Sequence, residues 1–226
     1  MSFNFLNPKF ILTQLKITDF FKYIDFMESS IISHKSRLIK TFEEASKSIT
    51  NPEHRQEYFE IQYLDDYQDL DLSYTLILRK SLFITLYSFL ESELLKITKR
   101  LENSKRSNIK LNDLRHRGIR RYLFYIEVVH HIKFTLSNKD RNEFFKYNRL
   151  RNHVVHSDGI SLTYAQYNKV KSLPHIKFVN HSKEDNHRYD IDRFEKEFNI
   201  TFLNLISNFF KQLFLALEEN ESTSKF

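Results

Sequence analysis

Apolar residues recur at spacings of three and four along most of this chain, the pattern of helices that bury one face. The longest such segments run from Thr18 to Ile49, from Leu72 to Leu101 and from Asp192 to Glu218. The segment from Leu72 to Leu101 has the most continuous apolar stripe, so we expect it to be the central helix. The last segment has a wide apolar face, which is expected to pack back onto the other helices.

Shorter elements are predicted between these helices along the chain. Asn51-Pro52-Glu53 predicts a second helix start, because Asn accepts the first free amides and Pro fits the first helical position. That helix is expected to continue into the acidic segment from Asp65 to Asp71. The remaining pattern predicts a surface loop from Glu102 to Lys110 and helices from Leu111 to Leu136 and from Asp140 to His156.

The pattern changes after Gly159. Residues His175 to Asn180 and His187 to Asp192 alternate polar and apolar positions on either side of a polar turn, which predicts a small β-hairpin. The fold class predicted is therefore all-α, an antiparallel helical bundle with a hairpin inserted before the C-terminal helix. With no repeat and no long linker, residues 1–226 are expected to form one domain that ends in a tail at 220–226.

Composition supports helices over sheets and suggests a compartment. Only two Gly and three Pro occur, which is little material for the tight turns of a many-stranded sheet. Cysteine is absent from the sequence, so disulfides and Cys-ligated zinc are excluded and a reducing cytoplasm is expected. The N-terminal segment is not expected to be a signal peptide. Because Asn204, Asn208 and Lys211 interrupt the apolar stretch from Phe202 to Leu217, no membrane span is predicted.

One segment combines phosphate ligands with a titratable base near a predicted helix end. Arg151 is followed by Asn152, and His156 comes after four intervening residues. This arrangement resembles the Arg-polar-His signature of the HEPN superfamily (higher eukaryotes and prokaryotes nucleotide-binding). Arg149 also lies within the spacing that the signature permits, so the arginine role has two candidates. The resemblance covers about residues 72–217 and leaves 1–71 as an N-terminal helical extension.

The resemblance implies a function and partners. A HEPN ribonuclease is expected to act as a homodimer on RNA, with no cofactor and no metal, and to serve as a toxin or phage-defence effector with an antitoxin or defence-system partner. His156 would be the general acid or base, Arg151 would hold the phosphate, and Asn152 would orient one of them. Some family toxins carry a modified Tyr two residues beyond the His; here that position is Asp158, which argues against this type of control.

Helix geometry limits how these side chains can meet. At about 100° per residue, Arg149, Asn152 and His156 share one face, whereas Arg151 lies about 140° from His156. Arg151 would therefore have to reach around the helix, or the last turn would have to unwind. The alternative interpretation is structural: Arg151 and Asn152 bond to helix ends or neighbours, and His156 to Gly159 form an ordinary helix stop.

Basic residues also gather before and within the helix expected from Leu111. The net charge of +6 is mild, but Lys105, Arg106 and Lys110 precede a dense run in which Arg115, Arg117, Arg120 and Arg121 are candidate RNA ligands, together with Arg149. Tyr122 and Tyr125 are near enough in sequence to stack bases. The alternative is a solvated basic face.

Two further features leave alternatives open. Glu91 lies in a strongly apolar helix and would either orient an arginine of the motif or lie exposed on the surface. His130-His131 lacks a third ligand at a defensible helical spacing, so no metal is assigned.

Two rival functions also remain. One is a non-catalytic HEPN-like scaffold that binds a nucleotide or a protein. The other is a helical adaptor, which would need an exposed apolar patch around Phe202, Phe209 and Phe210.

Overall fold

The chain is mainly helical, as the apolar periodicity predicts. A computed structural model describes residues 8–104, 107–156, 161–181 and 188–223, without the side chains of His156 and residues 221–223. Its α-helices are α1 Pro8–Ala45, α2 Pro52–Gln62, α3 Leu64–Gln68, α4 Tyr74–Asn103, α5 Gly118–Phe124, α6 Asn138–His156, α7 Tyr164–Val170 and α8 Lys196–Thr223. A small antiparallel sheet consists of β1 Ser161–Thr163, β2 Ile176–Asn180 and β3 Arg188–Phe194.

The first helix begins ten residues earlier than predicted and ends earlier as well. The predicted segment begins at Thr18, but the hydroxyl of Thr18 donates to the carbonyl of Gln14 at 3.0 Å, as within a continuous helix. Upstream, Thr13 and Ile17 are buried. The ring of Phe10 also lies 5.3 Å from that of Phe214 on α8. This long-range packing stabilises a helical segment that local cap signals do not predict.

The second helix starts where the sequence indicates. The side-chain oxygen of Asn51 accepts a hydrogen bond from the backbone N–H of Glu53 at 2.8 Å, and Pro52 is the first helical residue. The acidic segment then passes through α3 and a π-helical turn at Asp69–Ser73, which leads directly into α4. The central helix therefore lies within two residues of its predicted ends at both termini.

The prediction of a single helix from Leu111 to Leu136 is wrong. The chain forms a 3₁₀ turn at Leu111–Asp113, then α5, which continues as a π-helical turn at Tyr125–Val129. Gly118 begins α5 with φ +56°, and His131 has φ 54°, so left-handed residues interrupt the helix on both sides. After His131, buried residues alternate with exposed ones as in an extended segment, at Ile132, Phe134 and Leu136.

The predicted hairpin is present and is part of a larger sheet. β2 pairs antiparallel with β3, with a register shift between Lys177 and Phe178. Most of the predicted polar turn falls within residues 182–187, which lie outside the described residues. Two elements were missed: β1, which pairs with the other edge of β3, and α7. Since β3 extends to Phe194, α8 begins at Lys196 rather than Asp192, and it continues to Thr223, beyond the predicted end.

Aromatic side chains of α8 fill the core between α4 and α6. Phe202 is fully buried, and its ring centroid lies 4.3 Å from that of Tyr147 on α6 and 5.4 Å from that of Phe83 on α4. Phe209 and Phe210 are likewise buried. The exposed patch that an adaptor would need is therefore not formed by these three residues.

Within α8, the segment Lys196–Asn220 is long and apolar enough to cross a membrane by length and composition alone. This is weak evidence, because the core helix of a soluble protein passes the same test. The largest apolar side chains of this helix are buried against α4 and α6.

A buried ion pair joins three elements. Arg79 of α4 donates from Nε and Nη2 to both carboxylate oxygens of Glu28 on α1, at 2.8 and 2.7 Å, and from Nη1 to the carbonyl of Phe194 at the end of β3, at 2.8 Å. Only 14% and 7% of the two charged side chains are exposed. This forked contact fixes α1 and the sheet relative to the central helix.

Candidate functional site

The motif residues all lie on the last two turns of α6. That helix is continuous from Asn138 to His156, so its backbone does not unwind between Arg151 and His156. Helical geometry therefore places their Cα atoms about 140° apart around the helix axis. The side chain of His156 lies outside the described residues, as do Ser157, Asp158 and Gly159.

Arg151 turns towards α4 and is held on three sides. Its Nη2 lies 3.8 Å from a carboxylate oxygen of Glu91, and its guanidinium carbon lies 5.4 Å from the centre of the Tyr87 ring. On its other edge, Nη1 donates to the side-chain oxygen of Asn152 at 3.1 Å. Because 24% of the side chain is exposed, the guanidinium is oriented by the protein but still reaches solvent.

Glu91 contacts the motif, so the interpretation as an exposed surface residue is wrong. Its side chain is 27% exposed and faces Arg151. Burial raises the pKa of Glu91, while the neighbouring Arg151 acts in the opposite direction. In the sequence, an acidic residue within an apolar helical stripe signals such a role, but only the packing of α4 on α6 identifies its partner.

Gly118 brings α5 close to this carboxylate. A Cβ at position 118 would lie 3.3 Å from Oε1 of Glu91, tighter than ordinary contact, and the backbone there has φ +56°. Both the close approach and the left-handed backbone favour glycine at this position. The start of α5 thus forms one wall around Glu91.

The outer face of α6 carries the other polar candidates. Arg149 and Asn152 are exposed, and the amide nitrogen of Asn152 donates to the side-chain oxygen of Asn148 at 3.0 Å. A chain of contacts therefore runs from Glu91 through Arg151 and Asn152 to Asn148. In this conformation Asn152 orients Arg151, a role that the predictions for Asn152 did not include.

Sequence reasoning assigned no role to His153. It is 9% exposed, lies on the inner face of α6 and hydrogen-bonds to the backbone of Ser161 in β1. Burial lowers the pKa of His153, although the bond to Ser161 opposes this shift. Its spacing of three from Leu150 is the signal that could have identified it as a buried residue linking α6 to the sheet.

The basic cluster divides into exposed and packed arginines. Arg115 and Arg117 are exposed; Arg120 is exposed but its guanidinium lies 4.6 Å from the ring centre of Phe145 on α6. Arg121 is half-buried, with its guanidinium 5.6 Å from the ring centre of Tyr122. Lys105 and Arg106 lie outside the described residues.

The prediction that Tyr122 and Tyr125 stack on RNA bases is wrong. Tyr122 is 7% exposed and Tyr125 is fully buried, with its hydroxyl donating to the carbonyl of Ile109 at 3.0 Å. Both rings belong to the core because they lie on the inner face of this segment, together with the buried side chains of Ile119 and Leu123. They are not available to stack on RNA bases.

Among the described residues, His175, Glu195 and Glu197 form a group whose ligand atoms lie within 4.8 Å of one another. However, Lys177 approaches a carboxylate oxygen of Glu195 at 3.0 Å, and His175 approaches the other at 3.4 Å. These contacts, Lys177 first, lower the pKa of Glu195. Since the Lys177 ammonium already engages this carboxylate, we assign no metal to the group.

Two sides of α6 carry groups that are chemically suited to an anion, because Arg149 and Arg151 lie about 160° apart around this helix. It offers a positioned guanidinium, an amide and a second, exposed arginine, all donors suited to phosphate oxygens. Neither a family model, nor a curated protein, nor a solved structure matches this chain.

Proposed function

We propose that this protein is a HEPN-type endoribonuclease that cleaves RNA without a metal ion. The observation that carries the proposal is the fixed orientation of Arg151, between Glu91 and Asn152 and over the ring of Tyr87, near the end of the helix that also contains His156. A guanidinium needs such positioning to act on a phosphate rather than only to screen charge.

The reaction uses a nucleophile that RNA itself supplies. The 2′-oxygen attacks the adjacent phosphorus and loses its proton to a general base, while the P–O5′ bond breaks and the departing 5′-oxygen gains a proton. The products are a 2′,3′-cyclic phosphate and a free 5′-hydroxyl. His156 serves as the acid or base, since imidazole titrates near neutral pH. The arginine stabilises the charge that develops on the non-bridging phosphate oxygens. This proton transfer and charge stabilisation require no Lewis acid.

Two copies are proposed to form the working site. The Cα atoms of Arg151 and His156 in one chain lie about 140° apart around a continuous helix. A second copy related by two-fold symmetry would bring its own His156 towards the first copy's arginine. Arg149, which shares a face with His156, is the competing arginine, and the experiment below separates the two.

The test is cleavage of a labelled single-stranded RNA in excess EDTA. We expect His156→Ala and Arg151→Ala each to reduce the rate at least about 100-fold, the size of effect typical for removing an acid–base or charge-stabilising group. Lys139→Ala is the matched control, because Lys139 is exposed at the other end of the same helix. It should cut at the wild-type rate. An Arg149→Ala effect larger than that of Arg151→Ala would assign the phosphate role to Arg149.

The substrate provides a second control. A 2′-deoxy nucleotide at the mapped cleavage site should block the cut there, because the nucleophile is missing. Products should carry a 5′-hydroxyl, which a polynucleotide kinase labels directly. Cleavage that persists in His156→Ala, or that survives the 2′-deoxy substitution, refutes the proposed chemistry.

The contact with Glu91 also favours a second candidate, a non-catalytic HEPN scaffold that binds a nucleotide or a protein. The carboxylate 3.8 Å from Arg151 offsets part of the positive charge that a phosphate would meet. This candidate predicts saturable nucleotide or protein binding that Arg151→Ala weakens, with no RNA cleavage by the wild type.

We further propose a cytoplasmic toxin or phage-defence role with an antitoxin or another defence protein as partner. Induced expression of the wild type should then arrest growth and generate new RNA 5′ ends. The Arg151→Ala, His156→Ala double variant should do neither. Equal growth of both strains, at equal protein levels, argues against a toxin.

A further inference from the structure

A cavity lies between α1, α4 and α8, and its described lining includes no residue of α6. Its volume is about 470 Å³, within the range of small-molecule pockets. Its walls are largely apolar, formed by Leu12, Ile97, Leu101, Ile132, Phe214 and Leu217.

The polar part of the lining is strongly basic. Its charged side chains are Lys9, Lys16, Lys96, Arg100 and Glu93. Because Lys9 and Arg100 have further interactions, the two cations considered at the Glu93 carboxylate are Lys16 and Lys96. Two of the lysines extend towards solvent, with 49% and 59% of the Lys16 and Lys96 side chains exposed. Apolar walls with a cationic rim favour a ligand with an apolar body and a negative end.

Glu93 gathers the two lysines at one point. Its Oε1 accepts from Lys96 at 2.7 Å and from Lys16 at 2.9 Å, while the hydroxyl of Thr13 approaches Oε2 at 3.5 Å. Burial alone would raise the pKa of Glu93, but the hydrogen bonds from Lys96 and Lys16 outweigh it and lower the pKa. The carboxylate thus holds both ammonium groups beside the apolar wall, where they can also engage an incoming anion.

We propose that this cavity binds a single-chain alkyl carboxylate of the fatty-acid type. The chain lies against the wall formed by Ile97, Phe214 and Leu217, and the carboxylate lies at Lys16 and Lys96. Lys16 and Lys96 carry two positive charges against the one carboxylate of Glu93, so this group retains one positive charge that attracts the anion.

The first test is calorimetric titration of the full chain with hexanoate, octanoate and decanoate below their micelle-forming concentrations. Each added methylene should tighten binding about fourfold if it enters an apolar environment. Decanol and decylammonium are matched probes without the negative charge, and both should bind at least about tenfold more weakly than decanoate. No saturable decanoate binding, or equal binding of decanol or decylammonium, overturns the proposal.

The second test locates the binding site. Leu12→Glu places a carboxylate in the cavity lining at a side chain that is 58% exposed, so the fold should tolerate it. Leu15→Glu is the matched control, on the same helix, 55% exposed and absent from the lining. Decanoate binding should weaken at least about tenfold in the first variant and stay within twofold in the second. Equal effects in both variants would place the ligand elsewhere and refute the assignment.

A third variant tests the basic rim with a change that should strengthen decanoate binding rather than weaken it. Glu93→Gln keeps the side-chain volume but releases Lys16 and Lys96 from their carboxylate partner. Decanoate should then bind more tightly than to the wild type, provided that circular dichroism shows an unchanged fold. Weaker binding by a folded Glu93→Gln protein would contradict the proposed position of the ligand carboxylate.

Discussion

The buried pair of Glu28 and Arg79 allows a quantitative test of what holds α1 to the central helix. Replacing Arg79 with Leu leaves the Glu28 carboxylate, 7% exposed, without its cationic partner. Breaking a buried pair in this way costs about 3–5 kcal/mol. The loss of the donor to the carbonyl of Phe194 is included in that cost and alone contributes about 1 kcal/mol. Replacing Glu28 with Met should lower the free energy of unfolding by a similar amount, since it leaves the Arg79 guanidinium without its anionic partner.

The double variant Glu28→Met, Arg79→Leu should recover most of this stability. Two apolar side chains of similar volume remove both desolvation penalties, so the remaining deficit should be about 1 kcal/mol, from the unsatisfied Phe194 carbonyl. The free energy of unfolding is measured by urea titration with circular dichroism, and the four proteins form a thermodynamic cycle.

The cycle has a matched control and a result that would contradict the role of the buried pair. Lys40 and Glu44 form an exposed pair at 3.9 Å on α1, with 76% and 59% of their side chains exposed, and their truncation should change stability by less than about 0.5 kcal/mol. If the Glu28 and Arg79 changes are additive, with a coupling energy below about 0.5 kcal/mol, the buried pair does not act as described and the argument is wrong.

Three further outcomes are expected. Phe202→Ala should lower the free energy of unfolding by about 3–5 kcal/mol, because it empties a fully buried site between three aromatic rings; a loss below about 1 kcal/mol in urea titration would contradict that packing. Because burial lowers the pKa of His153, its neutral form is favoured in the fold, and stability should fall as the pH drops below about 6.5; His153→Gln should flatten this dependence, and an unchanged slope would exclude His153 as its source. Arg117→Glu should weaken binding of single-stranded RNA and reduce the salt dependence of log K by about one unit, whereas an unchanged salt slope removes Arg117 from the RNA contacts.

The sequence alone predicts the elements whose signals are local. The Asn51-Pro52 helix start is confirmed because the cap is made within three residues of the chain. The central helix and α6 are predicted close to their observed ends because an apolar stripe at helical spacing continues through each of them. The hairpin follows from strict alternation on both sides of a polar turn.

Elements that depend on distant partners could not be predicted this way. β1 has only three residues, too few for a period to be read, and it exists because the free edge of β3 pairs with it. The start of α1 at Pro8 depends on packing against α8. The break near Gly118 depends on a left-handed backbone beside Glu91, whereas the apolar residues around it are compatible with a continuous helix.

The candidate site divides in the same way. The chemical groups of Arg149, Arg151, Asn152 and His156, and their angular positions around a helix, follow from the sequence, because helical geometry fixes the angle between residues. The side of the helix that faces the core depends on neighbouring elements. Only the packing of α4 on α6 turned Arg151 towards Glu91 and left Arg149 and Asn152 in solvent, because the partners of a side chain are set by surfaces that lie far apart in sequence and meet only in the folded chain.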